Sequence, residues 1–335
     1  MKFCRSLISA LAVFVMAAGL LACHSKPPAT QPSPSPTPTP TPKPKPFIAY
    51  LKDGDLWLIR SDGSDERMLG IAPQGQTIHD FVWAADGLRL FYIVGLEFYE
   101  VSLANNAVAQ AGKLAAQPGI TIDRFELGRD GQTFAIIASD ANTQQKLYAV
   151  TIGQNEAREL AIDQFNALIP LRPPVIRAVG EISVSPDGNW ALFKDTVGAG
   201  EELFVANTET GARFQISNLS ELGGFEESVE TEGGRRVMEA AWSANGQYVV
   251  FNPMQYCSEI GFCSGRLFLV ETSGGPQLQL SIEMMVNVPN EWSDDGRLLV
   301  YDDGSRVVIA DTQGYPKALT EGHRPKWQPA KWQPE

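Results

Sequence analysis

Lys326-Trp327-Gln328-Pro329-Ala330-Lys331-Trp332-Gln333-Pro334-Glu335 ends the chain with the half-repeat that its beginning lacks. Five internal segments share one pattern: Trp83-Ala84-Ala85-Asp86-Gly87, Leu127-Gly128-Arg129-Asp130-Gly131, Val184-Ser185-Pro186-Asp187-Gly188, Trp242-Ser243-Ala244-Asn245-Gly246 and Trp292-Ser293-Asp294-Asp295-Gly296. Each leads into an apolar stretch such as Leu90-Phe91-Tyr92 or Leu298-Leu299-Val300-Tyr301. A sixth copy is split between Trp327-Gln328-Pro329 and Phe47-Ile48-Ala49-Tyr50, so the two ends are expected to meet in one repeat.

The turn residues Asp86, Asp130, Asp187, Asn245 and Asp295 fall at intervals of 44, 57, 58 and 50 residues. A period of this size, with four β-rich runs per unit, is that of a propeller and not of a helical solenoid. In the fourth unit the runs are Ile182 to Val184, Trp190 to Phe193, Glu202 to Ala206 and Arg213 to Ile216, with turn residues between them. No segment longer than a turn or two has helical periodicity. The fold class is therefore all-β: a six-bladed β-propeller of four-stranded antiparallel blades, closed by the C-terminal strand joining the N-terminal blade. Lys326 to Pro329 is expected as the innermost strand of a blade whose other three strands come from Phe47 to Gly70.

Asp55-Leu56-Trp57-Leu58-Ile59-Arg60-Ser61-Asp62-Gly63, Ser185-Pro186-Asp187-Gly188, Trp242-Ser243-Ala244-Asn245-Gly246 and Ala318-Leu319-Thr320 resemble repeats of the TolB-like six-bladed propellers. The resemblance covers nearly all of Phe47 to Pro329 and rests on turn and core positions. It implies the fold and leaves function open, since propellers host many activities. The family's namesake carries an additional N-terminal α/β domain, whereas a proline-rich tether stands there in this chain, so that protein's partner is not carried over.

The N-terminus sets the compartment. Lys2 and Arg5 precede the apolar run Leu7 to Leu21, and Leu20-Leu21-Ala22-Cys23 reads as a bacterial lipobox. Residues 1–22 are then a leader, and Cys23 carries a lipid that anchors the chain to a membrane without crossing it. Residues 23–46 hold the lipidated cysteine and a tether rich in Pro, Ser, Thr and Lys, a composition that favours polyproline II. Its twenty residues from Pro27 reach roughly 60 Å at about 3.1 Å per residue. Residues 47–335 form the propeller, expected to be monomeric and either periplasmic or extracellular.

With 27 basic and 39 acidic residues the net charge is −12, which argues against nucleic acid as a partner. Two cysteines remain after Cys4 and Cys23: Cys257 and Cys263, six apart in a glycine-containing loop. In an exported protein they read as a disulfide that stiffens this loop, stabilising it by about 2 kcal/mol.

In a four-stranded meander, the first-to-second and third-to-fourth turns lie at one end, and the second-to-third and inter-blade connections lie at the other. Nearly every long connection belongs to the second set: Ala138 to Gln145, Asp163 to Gly180, Lys194 to Glu201, Asn218 to Arg236 and Asn252 to Gly265. Long loops on one face of a rigid scaffold are the usual seat of binding. This face carries Arg172, Arg177, Arg235 and Arg236 and, around the disulfide, Met254, Tyr256 and Phe262. Aromatic anchors ringed by charge read as a surface for a protein or an envelope polymer.

A second constellation appears when the inner strands are aligned on the Trp position. Four residues before it stand His79, Asp123, Gly180, Met238, Val288 and His323. Two imidazoles and a carboxylate, His79, Asp123 and His323, suit a transition metal. Some TolB-like carbohydrate lyases hold a metal at the channel with histidines, so the alternative reading is a metal-dependent or glycan-processing enzyme at the channel mouth. One position later Arg324, Asp80, Arg124 and Glu181 alternate in sign and read as ion pairs between neighbouring inner strands. Hydrolytic machinery is not visible: Gly261-Phe262-Cys263-Ser264-Gly265 has its serine one place late for a nucleophile elbow. A non-enzymatic binding module without a cofactor is the leading expectation.

Overall fold

Each Asp-Gly or Asn-Gly segment builds the same turn. The side-chain Oδ1 of Asp86, Asp130, Asp187, Asn245 and Asp295 accepts the backbone N–H two residues on, at 2.8–3.1 Å. The glycines that follow them, Gly87, Gly131, Gly188, Gly246 and Gly296, all have φ between 64° and 78°, a region that a Cβ disfavours. Ser185, Ser243 and Ser293 add a second brace, their Oγ accepting the N–H of Trp190, Tyr248 and Leu298 at 2.9–3.0 Å. Repeated turn chemistry therefore becomes repeated hairpins.

The computed structural model describes residues 45–73, 75–115, 119–169, 179–198, 200–222, 235–257, 261–263, 266–281 and 291–329. Six antiparallel sheets follow one another along the chain. The first contains Phe47–Lys52, Asp55–Arg60 and Arg67–Gly70, the second Asp80–Trp83, Arg89–Val94, Glu97–Ser102 and Val108–Lys113. The third contains Thr121–Leu127, Thr133–Ser139, Gln145–Thr151 and Ala157–Glu159 and is followed by a seven-residue helix, α1, Ile162–Leu168. The fourth is built from Ile182–Val184, Trp190–Val197, Gly200–Asn207 and Arg213–Gln215. The fifth has Arg235–Trp242, Tyr248–Cys257, Phe268–Glu271 and Leu278–Gln279, with Gly261–Cys263 paired to its second strand. The sixth has Leu298–Asp302, Arg306–Asp311 and Pro316–Glu321, with Trp292 bridged to Leu299 in place of an inner strand. This succession is consistent with a propeller.

The last strand, His323–Trp327, pairs antiparallel with Phe47–Lys52 and so completes the first sheet, with Trp327 opposite Ile48. The strand starts three residues earlier than the sequence indicates and stops at Trp327. Gln328 finishes the junction from outside the strand. Its backbone N–H donates to the Phe47 carbonyl at 2.9 Å, its Oε1 accepts the Phe47 N–H at 3.0 Å, and its Nε2 donates to the Gly87 carbonyl at 2.8 Å.

Between sheets the contacts are apolar. Separate clusters join the first sheet to the second, the second to the third, the fourth to the fifth, the fifth to the sixth and the sixth back to the first. Phe91, Phe98, Phe125 and Phe134 interlock between the second and third, with centroids 4.8–5.9 Å apart. The other face of the third sheet is covered by α1, whose Phe165 packs with Ala135, Ala149 and Leu160.

The inner-strand tryptophans add a directional tie. Trp327 Nε1–H donates to the Glu291 carbonyl at 2.9 Å, Trp83 to Lys326 at 3.1 Å and Trp242 to Ser183 at 3.0 Å. Each acceptor sits on the preceding sheet, one residue before that sheet's own Trp position. A buried indole N–H satisfied in this way fixes the rotation of one sheet against the next.

At the junction of the sixth and first sheets, Glu66 Oε1 accepts from Tyr50 Oη at 2.6 Å, Thr320 Oγ1 at 2.7 Å and Lys52 Nζ at 3.2 Å. The hydrogen bond from Tyr50 leads in holding the Glu66 carboxyl below its ordinary pKa, and burial opposes it.

Truncation after Gly322 is expected to abolish a wild-type-like melt, because it strips the edge of Phe47–Lys52 and removes Trp327. Trp327→Ala alone is expected to cost about 3–5 kcal/mol in urea unfolding, whereas deleting residues 330–335 leaves the midpoint nearly unchanged. A carboxyl with a depressed folded pKa stabilises above its unfolded value, about 4.3, and that contribution disappears as pH falls through the folded value. The melting difference between wild type and Glu66→Gln is therefore expected to be largest at neutral pH and to shrink on acidification through the carboxylate range.

Candidate functional site

The end of the sheets that carries the second-to-third and inter-sheet connections differs in detail from the sequence expectation. Lys194 to Glu201 is not a long loop: the strands run to Val197 and restart at Gly200, closing a tight hairpin. Asn252 to Gly265 is likewise largely strand, with Tyr248–Cys257 continuing to pair with Gly261–Cys263. Lys194 to Glu201 is polar and glycine-containing, so it lacks the alternation that marks a half-buried strand. Asp163 to Gly180 contains α1.

The predicted binding residues fall into three groups. Arg172 and Arg177 lie outside the described residues. Arg235 and Arg236 are not in a loop but open the inner strand Arg235–Trp242. Arg235 donates to the Leu219 carbonyl, and Arg236 Nε is 3.9 Å from Glu201 Oε1. Met254 and Tyr256 lie in the strand Tyr248–Cys257, and Phe262 lies in Gly261–Cys263, with Tyr256 and Phe262 directly opposite in register. Cys257 stands opposite Gly261 and Cys263 opposite Gln255.

The inner strands of three sheets carry a bulge at this end. Asp123 is the extra residue between the pairs Ile122–Ala138 and Arg124–Ile137, and Met238 occupies the same place between Val237–Pro253 and Glu239–Asn252. In the first sheet, Arg324 and Pro325 together face Tyr50, and Arg324 takes φ 53°. Bulges re-aim side chains at the rim of a sheet. Here they coincide with, or fall one residue from, the positions singled out by the Trp alignment.

A cavity of about 400 Å3 opens there between the second and third sheets, bordered by the first. His79 and Asp123 both line it, as the alignment predicts. The third member is Arg324: His323, opposite Leu51, is not part of the lining. Among the described residues no three His, Cys, Asp or Glu side chains are grouped to hold a metal ion.

Charge at the rim is organised by Asp80. This buried carboxylate accepts the Phe81 N–H at 2.9 Å and Lys326 Nζ at 3.1 Å, with Arg324 Nη1 at 3.8 Å. Lys326 also donates to the Phe81 carbonyl, and Arg324 to the His79 carbonyl at 2.8 Å. The expected pairing of Arg324 with Asp80 across adjacent inner strands is thus present. Arg124 departs from the alternating pattern and bonds Glu126 two residues along its own strand, at 2.6 Å. The strand's alternation puts Arg124 and Glu126 on one face, and this local partner is nearer than the neighbouring sheet.

A buried cation joins the fourth and fifth sheets at the same end. Lys194 donates to the Val237 carbonyl at 2.8 Å, beside the Met238 bulge, and stands 3.6 Å from Glu201. Burial pushes its ammonium pKa down while Glu201 opposes the shift. Motif reasoning misses Lys194, since nothing local distinguishes it from an exposed lysine. Among the described residues no helix is long and apolar enough to cross a membrane.

No protein-family profile matches the sequence, and no curated protein matches it either. Solved structures to which the chain is similar include TolB from Acinetobacter baumannii, at 16% identity and TM-score 0.43, covering 84% of this chain and 66% of that one. Putative TolB from Agrobacterium tumefaciens matches at 15% identity and TM-score 0.39, covering 84% of this chain and 92% of that one. Oligogalacturonate lyase from Vibrio parahaemolyticus matches at 12% identity and TM-score 0.35, with 82% and 74% covered. The similar structures thus include TolB proteins, whose repeats the sequence resembles. At TM-scores below 0.5 they assign no activity to this chain.

Proposed function

We propose that this protein is a lipid-anchored protein of the bacterial cell envelope whose six-bladed propeller, closed into a ring by its C-terminal strand, is a non-enzymatic binding module. Its working surface is the end opposite the Asp-Gly turns, and its partner is a protein or an envelope polymer. The observation that carries this reading is the cavity of about 400 Å3 at that end, whose lining sets His79, Asp80, Thr121, Asp123 and Arg324 beside Leu96 and Ile120. A concave site in which several polar groups converge beside apolar surface is a usual form of a binding site.

Three further features support the reading. Leader, lipobox cysteine and proline tether, residues 1–22, Cys23 and 24–46, would hold the domain up to roughly 60 Å from a membrane. A Cys257–Cys263 disulfide would lock the projecting hairpin that carries Met254, Tyr256 and Phe262. Arg172, Arg177, Arg235 and Arg236 would supply the charged rim around these anchors. The net charge of −12 disfavours nucleic acid.

Affinity capture from envelope extract with the tethered domain as bait tests the surface. Tyr256→Ala, Phe262→Ala, Arg172→Ala and Arg177→Ala are expected to weaken capture without lowering the melting midpoint. Asp86→Ser and Asp295→Ser, at the opposite end, are expected to leave capture intact while costing some stability. Capture that survives the first set and fails with the second would place the surface at the wrong end. Fractionation tests the anchor independently: Cys23→Ala is expected to leave the membrane pellet or to retain its leader, and normal processing with membrane retention would exclude lipidation.

A further inference from the structure

The rim of the cavity presents both signs of charge with unused bonding capacity. Arg324 spends one N–H on the His79 carbonyl, and its guanidinium meets no other acceptor nearer than Asp80 Oδ1 at 3.8 Å among the described residues. Five donors on a planar fork leave an edge free for a carboxylate. Asp123 Oδ2 accepts from Ser139 Oγ at 2.5 Å, while its Oδ1 has no donor among the described residues. The His79 imidazole is exposed on the same wall and makes no side-chain bond there.

Neutrality of the rim limits the ligand's charge. Asp80 is bonded to Lys326 at 3.1 Å and lies 3.8 Å from Arg324, so that with Asp123 the two carboxylates are balanced by two cations. A purely anionic ligand would meet the Asp123 carboxylate, and a purely cationic one the guanidinium. A zwitterion satisfies both.

The walls limit its body. Leu96 and Ile120 are the cavity's partly exposed aliphatic side chains, Ile93 and Ile122 being buried in the core between the second and third sheets, and among the described residues the lining contains no aromatic ring on which a sugar face would stack. The volume lies near the lower end of the range for ligand pockets, about 300–1,000 Å3, which suits one or two residues and not a folded surface. The positions that aim these groups are built into the backbone: Asp123 is a bulge residue and Arg324 holds a positive φ, its own N–H fixed by Asp302 Oδ2 at 3.0 Å.

We propose that this cavity binds a zwitterionic aliphatic amino acid or dipeptide, with its carboxylate on Arg324, its ammonium on Asp123 Oδ1 and its side chain against Leu96 and Ile120. This specifies a ligand class for the surface described under Proposed function and rests on that reading of the face.

Calorimetric titration of the mature chain with L-leucine and L-leucyl-L-leucine at neutral pH tests it, with N-acetyl-L-leucine and L-leucinamide as blocked forms. Saturable binding is expected for at least one of the two zwitterions. Removing either charge is expected to weaken binding about tenfold or more, as loss of a charge-assisted hydrogen bond does. Arg324→Gln is expected to erase the preference for leucine over leucinamide, and Asp123→Asn the preference over N-acetylleucine. Should Arg324→Gln fail to fold, the Asp123→Asn arm decides alone, because that exposed side chain bonds only Ser139 among the described residues. No saturable binding of either zwitterion, or equal binding of leucine and its blocked forms, overturns the proposal. Envelope capture by the same preparation is scored separately, so a cavity that ignores leucine in a domain that still captures its partner sinks this inference and not the binding-module reading.

Discussion

Pairing between the two ends of the folded domain is the constraint on which the rest depends. His323–Trp327 supplies the inner strand for Phe47–Lys52, and from that one junction three kinds of contact radiate. Ile48, Tyr50 and Trp327 pack against Val300, Val307 and Ile309 of the sixth sheet. Trp327 and Trp83 place their indole N–H groups on carbonyls of the preceding sheets, so the first sheet is tied on both sides. Lys326 and Arg324, on the same strand, reach Asp80 and the His79 carbonyl and thereby set one wall of the cavity. The pairing of the two ends and one border of the cavity share a single five-residue strand.

Not every seam is built alike. Where the inner position is Trp, a hydrogen bond crosses to the preceding sheet from Trp83, Trp242 and Trp327, while the Trp292 Nε1 is buried without a partner. The third and fourth sheets have Leu127 and Val184 at this position, which cannot donate. There α1 covers the face of the third sheet with Phe165, and Ile182 and Val184 of the fourth are exposed at 62% and 46%. The fourth sheet, with Val184 at this position, shares no apolar cluster with the third among the described residues, whereas the third, with Leu127, is joined to the second by an apolar cluster without an indole. Polar clasps fill a different role. Lys194, which is buried, and Lys326, which is partly exposed, each carry an ammonium across a seam to a backbone carbonyl of the next sheet.

Legibility of the site in the sequence was uneven for physical reasons. Alignment on the Trp position brings His79 and Asp123 together because inner strands of equal pitch, counted from a common landmark, reach equal heights. It fails by one residue at His323, since the bulge at Arg324 and Pro325 inserts an extra position and turns the next side chain toward the cavity. Arg124 fails for another reason, its local pairing with Glu126. The strands Trp190 to Phe193 and Glu202 to Ala206 are legible, but their extension through Lys194 to Glu201 is not, because that polar, glycine-containing end of the hairpin carries no alternating pattern.

By itself the sequence determined the number of repeats, the turn that opens each one and the union of the two ends. These follow from short-range chemistry: an Asx side chain two residues before an N–H, a glycine at positive φ, and an apolar run of strand length. Only the tertiary structure decided which carbonyl each indole meets, which lysines are buried, and that Arg324 in place of His323 joins His79 and Asp123 at one cavity. Those outcomes depend on bulges and on the rotation of one sheet against the next, quantities set by packing over distances that no local pattern of residues records.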